Sequence, residues 1–364
     1  MRHTSPVGIA AIATYEPSWR LPNEWFGPAM PRKFAHHTGI QSRLVSRDDE
    51  VTMGVRAVER LQQETGCDLA DCAGLVFVSP SFVPSKVSAR YGFSSERIGE
   101  AGRRLAAGLG LSDRPIYSLN WFCSGYARGL EVVRHRLARE MPLGKRRFYL
   151  LVTSGQISRI TDYAAVQTAP LFGDMATATM LTRADHRQFP AQLKLLYAAG
   201  QRRPVERPLF DFELRDDVLL PTPDGLQTRG SRRFVYTLDG MAIADVAPRA
   251  MASAVHDALT IKGIDPESLS YVVPHQAGTA IVRLTGMKLE QLGIRAEVVN
   301  GLTCEVGNVS SSSVPYALKQ WWDRLNGTIA CPTAAVGSPG TPEVLQGCIL
   351  LRAVKNGRSS ARAA

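Results

Sequence analysis

Residues 116–140 read IYSLNWFCSGYARGLEVVRHRLARE, and the change of character within this stretch decides the kind of fold the chain can adopt. It opens as a short apolar run, Ile116–Leu119, with the length and composition of a buried strand. After Trp121, Phe122 and Cys123 the period changes. From Ser124 onward Leu130, Val133 and Leu137 fall on one helical stripe, and Arg128, Glu131, His135 and Arg139 fall on the opposite side. Cys123 therefore stands where a strand turns into a helix. A thiol at a helix start feels the positive end of the helix dipole, which favours the thiolate and suits a nucleophile. A packing cysteine would be equally at home there, because free Cys is among the most buried residue types.

Working outward, the same alternation recurs. Apolar runs at 7–14, 74–79, 147–153, 171–181, 269–274, 328–336 and 347–354 read as strands. Helical patterns cover 51–65, much of 89–110, 241–262, 278–292 and 313–325. Between 188 and 234 the pattern weakens into a Pro- and Arg-containing stretch expected to form loops with a hairpin. Strands alternating with helices predict an α/β fold with mostly parallel, buried strands. The strand-then-helix rhythm at Cys123 is echoed at His275, which points to an internal duplication. The 364 residues suit two such halves. The expected division is 1–185, a connecting region 186–235, and 236–364.

The totals exclude several classes. No apolar run approaches membrane-spanning length, so membrane insertion is not expected. The N-terminal apolar run is broken early by Glu16 and Pro17, unlike a signal peptide. The six cysteines form no CxxC pair and read as free thiols of a reducing cytoplasm. A net charge of +10 fits nucleic acid, an anionic membrane or an acidic carrier as partner. The basic residues come in small groups, such as 145–147, 202–203, 232–233 and the tail Lys355, Arg358 and Arg362, without interleaved aromatics, so nucleic acid is not expected.

Three points carry chemistry. They are Cys123, His275 within VVPHQA (272–277), and Asn308 within EVGNVSS (305–311). Each lies at a strand or loop end beside a helix start, where open α/β sheets gather ligands. Taken singly, a lone His is commonly structural and a Gly-Asn pair is commonly a turn. Together, C-S-G-Y, V-P-H-Q-A and G-N-V-S-S-S-S-V-P resemble the three signatures of β-ketoacyl-acyl carrier protein synthase III, a thiolase-fold condensing enzyme. His37–Arg43 (HTGIQSR) is similar to that family's R-T-G-I-x-x-R, and Phe172-Gly173-Asp174 to its F-G-D-G-A.

The resemblance implies a five-layered αβαβα fold of two pseudo-duplicated halves and a homodimer. It implies that Cys123 takes an acyl group from a thioester, and that a malonyl thioester loses CO2 to give an enolate. His275 and Asn308 would donate hydrogen bonds to that enolate's oxyanion. The acyl oxyanion would be held by the backbone N–H of Cys123 and by a donor from the loop carrying Gly337 and Gly340. No metal or redox cofactor is implied. The substrates would be thioesters of acyl carrier protein phosphopantetheine or of coenzyme A.

The chain departs from the family at named places. Its C-terminal loop reads Gly337-Ser338-Pro339-Gly340-Thr341-Pro342 in place of a triple glycine. Met175 and Thr177 stand where the aspartate motif has glycines. Trp121 and Phe122 replace small residues before the nucleophile, to reshape the acyl pocket or to fill the core. The family's coenzyme A-gripping Trp and Arg align with Lys33 and His37, which favours a carrier-bound acyl group over acyl-CoA. Val83 falls where the family closes the acyl pocket, and its small size fits a longer or bulkier acyl group. These differences predict a specialised fatty acid or polyketide-type role. Two other readings stand beside condensation: acyl transfer to an oxygen or nitrogen nucleophile, and a non-catalytic carrier-binding subunit.

Overall fold

The computed structural model describes residues 7–222, 227–230 and 232–354. Residues 1–6 and the basic tail with Lys355, Arg358 and Arg362 lie outside the described residues.

One ten-stranded sheet organises the chain, and it contains the same pattern twice. The first half supplies β1 (Val7–Tyr15), β2 (Cys72–Val78), β3 (Ile116–Leu119), β4 (Phe148–Gly155) and β5 (Met175–Arg183), in the spatial order 3-2-4-5-1. The second supplies β6 (Leu193–Pro204), β7 (Leu269–Val272), β8 (Glu297–Val298), β9 (Thr328–Val336) and β10 (Glu343–Ala353), in the order 8-7-9-10-6. Subtracting five from each label gives the first order again. Pairing directions repeat too. β2 is parallel to β3 and β4, as β7 is to β8 and β9. β5 is antiparallel to β4 and β1, as β10 is to β9 and β6. The halves meet where β1 and β6 pair antiparallel, Gly8 with Lys194 and Ile9 with Leu193.

Helices fill three layers around these strands. α1 (Glu50–Thr65) and α2 (Ile98–Gly108) cover the outer face of the first half, burying Met53, Val58, Leu61 and Leu105 against Leu75, Phe77 and Leu150. α4 (Gly240–Lys262) and α5 (Thr279–Gln291) cover the second half through Val255, Leu259 and Leu289. Between the halves lie α3 (Gly125–Val132) and α6 (Ser313–Gln320). Their Tyr126, Leu130, Val314 and Leu318 join one core with Ile9, Val76, Leu151, Ile329 and Ile349. This is the expected αβαβα sandwich. Strands covered on both faces need continuous apolar runs, and every residue of β2 and of β4 is buried.

The stripe read around Cys123 holds, since Leu130, Val133 and Leu137 are fully buried. The helix continues beyond Val132 through a wide turn at Val133–Leu137 to Ala138–Glu140. Two expectations fail. The sheet is mixed rather than mostly parallel, with four parallel pairings and five antiparallel ones, since connections such as the short turn between β9 and β10 return the chain without a crossover helix. The stretch 188–234 does contain two-stranded pieces, Phe210–Arg215 with Arg233–Leu238 and Leu219–Pro221 with Gln227–Arg229. It also contains β6, twelve residues long and paired along its length with β10. β6 ends in Gln201-Arg202-Arg203-Pro204, which runs out into solvent, so its apolar signal is short. Among the described residues, no helix is long and apolar enough to cross a membrane.

The start of α1 shows how local chemistry fixes an element. Asp49 caps it by accepting the Thr52 N–H at 2.8 Å, and Arg104 lies 3.3 Å from the same carboxylate. These hydrogen bonds hold the Asp49 carboxyl below the usual range, although burial pushes the other way. Asp49→Ala is expected to cost about 1 kcal/mol in urea unfolding at neutral pH. Because the folded-state pKa is the depressed one, this contribution is present above the unfolded value. The gap between the two proteins should therefore close as pH falls through the acid range.

Candidate active site

The residue between β3 and α3 that matters is Cys123, and the chain turns sharply to present it. Phe122 has φ 42°, a left-handed conformation that a bulky side chain rarely adopts. Asn120 holds the bend: its Oδ1 accepts the Phe122 N–H at 3.1 Å, and its Nδ2 donates to Phe82 O at 3.1 Å. Ser124 then pins the turn to β10 by donating to Leu345 O at 3.0 Å. Gly125 follows because α3 starts in a crowded place. A Cβ there would lie 2.4 Å from Val78 Cγ1 and 3.2 Å from Ser311 Cβ.

Asn308 arrives from the second half, after β8 and before α6. Its backbone docks on the first half: the Asn308 N–H donates to Leu171 O at 2.8 Å, and the Gly173 N–H donates to Asn308 O at 3.1 Å. Gly173 allows this approach, since a Cβ would lie 2.0 Å from Val306 O. The Asn308 Oδ1 accepts the Ser310 N–H at 2.9 Å, which leaves the amide's NH2 as its outward donor. Ser310 in turn donates from Oγ to Cys123 Sγ at 3.4 Å. Thiol and carboxamide are thus linked through one serine.

His275 follows β7. Its N–H donates to Pro332 O at 2.9 Å in β9, and the next residue, Gln276, donates from its N–H to Ser313 Oγ at 2.7 Å. The imidazole is buried, and its Nδ1 has no hydrogen-bond partner. Cys123, His275 and Asn308 all line one cavity of about 1010 Å³. Its walls are mainly apolar, with Phe210, Tyr236 and Leu238 contributed by the two-stranded ribbon. Lys33, His37 and Arg283 line the same cavity.

The electrostatics differ from the dipole argument. Burial pushes the Cys123 thiol up to about 11, and the Ser310 hydroxyl opposes this only in part. Cys123 as a residue is only partly buried, but it lines the cavity, whose apolar walls solvate an anion poorly. Burial lowers His275 to about 4. Both groups therefore rest uncharged near pH 7. A neutral imidazole carries one N–H and donates without bearing charge.

The other sequence candidates fall elsewhere. Val83 lines a separate cavity of about 290 Å³, and Phe122 borders both spaces. Trp121 lines neither. Its ring takes Arg128 and Arg202 at 4.9 and 5.3 Å from the centroid and packs on Gly200. Gly340 is no oxyanion donor, because its N–H donates to Phe210 O at 2.9 Å. Gly337 sits against Glu343 and outside the cavity lining. Arg43 and Asp174, from the two remaining motifs, are internal struts. Arg43 donates to Pro170 O at 3.1 Å and to Leu21 O at 2.9 Å. Asp174 accepts from Ser46 and Ser158, including the Ser158 hydroxyl at 2.6 Å, and burial raises it to about 6. Ser310 and the ribbon aromatics were not singled out from sequence. The four-serine run at 310–313 was the available signal, since a buried polar run must find partners.

Comparisons with known proteins agree with this geometry. Residues 117–195 match the family model for 3-oxoacyl-[acyl-carrier-protein (ACP)] synthase III, and residues 259–335 match its C-terminal model. The chain is a synthase III-like, thiolase-fold ketosynthase. It is 25% identical over 324 residues to the β-ketoacyl-[acyl-carrier-protein] synthase III of Rhodobacter capsulatus, covering 87% of this chain and 86% of that protein. The 3-oxoacyl-[acyl-carrier-protein] synthase III structure from Aquifex aeolicus VF5 superposes with a TM-score of 0.68 at 19% identity, over 95% of this chain and 99% of that one. The priming β-ketosynthase of the R1128 polyketide biosynthetic pathway gives 0.68 at 20%, over 97% and 99%. This ketosynthase is therefore an enzyme of the acyltransferase class.

Two outcomes test the site. Gly173→Ala forces a Cβ into Val306 O and should destabilise the protein by about 1–3 kcal/mol in urea unfolding. In an NMR pH titration the His275 imidazole should stay neutral between about pH 5 and 8 and gain charge only near its lowered value of about 4.

Proposed function

We propose that this ketosynthase joins an acyl group to a malonyl unit by decarboxylative Claisen condensation. The observation that supports the reading is the single cavity lined by Cys123, His275 and Asn308. In the first half-reaction the Cys123 sulfur attacks an acyl thioester, the carrier thiol leaves, and the protein holds a new thioester. In the second, the bond between the malonyl α-carbon and its carboxylate breaks. CO2 departs and the electron pair forms an enolate. His275 and the Asn308 NH2 donate to the enolate oxygen, and such donors are commonly worth a hundredfold or more in rate. The α-carbon then attacks the acyl carbonyl, Cys123 is expelled, and a β-ketoacyl thioester leaves.

Carrier protein is the favoured donor. Lys33 and Arg283 offer charge to a phosphopantetheine phosphate, and His37 offers a ring nitrogen. None supplies the broad stacking surface that an adenine ring takes from Trp. The size of the apolar cavity fits an acyl group larger than acetyl, and with it a specialised fatty acid or polyketide-type product. β3 and β8, at the two ends of the sheet, each have a single strand neighbour, and a second copy in a homodimer would pair at one of these free edges. Acyl transfer to oxygen or nitrogen would need a base but no second enolate donor, and Asn308 weighs against it.

Intact-mass spectrometry with a panel of acyl thioesters tests the reading. The wild-type protein should gain one acyl mass, and Cys123→Ala should gain none. His275→Ala and Asn308→Ala should still acylate but release CO2 from malonyl thioester at least about a hundredfold more slowly. Acylation without any CO2 release by the wild-type protein would contradict condensation.

A further inference from the structure

Ser310 is the group in the cavity that the chemistry above leaves without a task. Its backbone has φ 49°, and its side chain is buried. For a non-glycine residue that conformation is strained, so something must hold it there. Two of the three serines that follow have structural partners, and the third, Ser311, has a buried hydroxyl that meets no partner. Ser312 Oγ meets Thr153 Oγ1 at 2.8 Å and donates to Met175 O at 3.2 Å, and Ser313 Oγ accepts the Gln276 N–H at 2.7 Å. Ser310 is turned to the sulfur, with Oγ donating to Cys123 Sγ at 3.4 Å. Its own N–H meanwhile fixes the Asn308 amide at 2.9 Å.

We propose that the Ser310 hydroxyl is a catalytic hydrogen-bond donor that supports the Cys123 sulfur while it carries negative charge, both when it attacks the acyl donor and when it is expelled. The proposal rests on the reading of Cys123 as the nucleophile. An anion in a poorly solvating chamber needs a donor aimed at it, and an unmet charge there is costly. The left-handed turn is what delivers the donor. It bends the chain so that one residue presents its hydroxyl to the thiol and its amide proton to Asn308. One short turn thus sets the distance between the acyl-carrying atom and the enolate-binding group.

Replacing Ser310 separates hydroxyl from backbone. Ser310→Ala and Ser310→Gly both lose the donor and keep the N–H that holds Asn308. Glycine also accepts the positive φ, so Ser310→Gly should not lower the thermal midpoint. The probe is iodoacetamide, with alkylation followed peptide by peptide in the full chain. Cys304, which is exposed, serves as internal reference. Losing one hydrogen bond to a thiolate raises its pKa by roughly one to two units. Part of the lost rate returns through greater intrinsic nucleophilicity. Cys123 in both variants should therefore alkylate roughly threefold to tenfold more slowly at about pH 8, with its profile displaced to higher pH. Cys304 should be unaffected. Wild-type alkylation rates at Cys123 in both variants would overturn the proposal. Slowed alkylation in a protein whose Cys123 accepts no acyl group would support the hydrogen bond and remove the nucleophile reading, so the two failures are distinct.

Discussion

Two helices compete for one layer, and the active site is where they meet. α3 and α6 both lie between the halves of the sandwich, so their N-terminal turns must abut. Gly125 faces Ser311 across that contact at a separation that leaves no room for another side chain. The chain accommodates the crowding with two left-handed residues, Phe122 and Ser310, one before each helix. Conformations of this kind cost about 1–3 kcal/mol each and persist only where the surroundings enforce them. Here Asn120, Ser124 and the serines ahead of α6 do so. The consequence is chemical: the sharp turns bring Cys123 and Ser310 face to face at the rim of the cavity.

Duplication explains why the parts arrive from distant places in the chain. Cys123 follows the third strand of the first half, and Asn308 follows the third strand of the second. His275 follows the second strand of that same half. One repeated unit thus presents different groups to the cavity, a thiol from the first half and an imidazole and a carboxamide from the second. The halves share one apolar core, and beside the site they also meet through backbone, with Gly173 lying against Val306 and Asn308. The ribbon inserted after β6 adds Phe210, Tyr236 and Leu238 to a cavity wall that both repeats also build, through residues such as Ile157, Ile281 and Val336.

Much of this was legible in the sequence, for physical reasons. Continuous apolar runs such as 148–155 reveal strands covered on both faces, and the switch of period at 120–125 reveals the strand-to-helix corner. The motif residues were legible because chemistry restricts them. What escaped was whatever depends on contact across the chain. β6 hid because small and basic residues dilute its pattern, and its pairing with β10 supplies what propensity does not. Val83 and Trp121 could not be placed relative to the thiol, since the strained Phe122 decides which space each one faces. The sign of the Cys123 shift was misjudged for the same reason. A helix start favours the anion locally, but burial is a property of the whole assembly, and it dominates.

The central claim is that thiol, imidazole and carboxamide act on one pair of reacting carbons inside one chamber. The most direct test is a crystal structure of the protein acylated on Cys123 and soaked with a malonyl thioester analogue that cannot lose CO2. The account predicts density continuous with Cys123 Sγ. It also predicts that the analogue's thioester oxygen lies within about 3.2 Å of both a His275 ring nitrogen and Asn308 Nδ2. An analogue bound in the cavity with that oxygen turned away from both donors, beside an acylated sulfur, would contradict it.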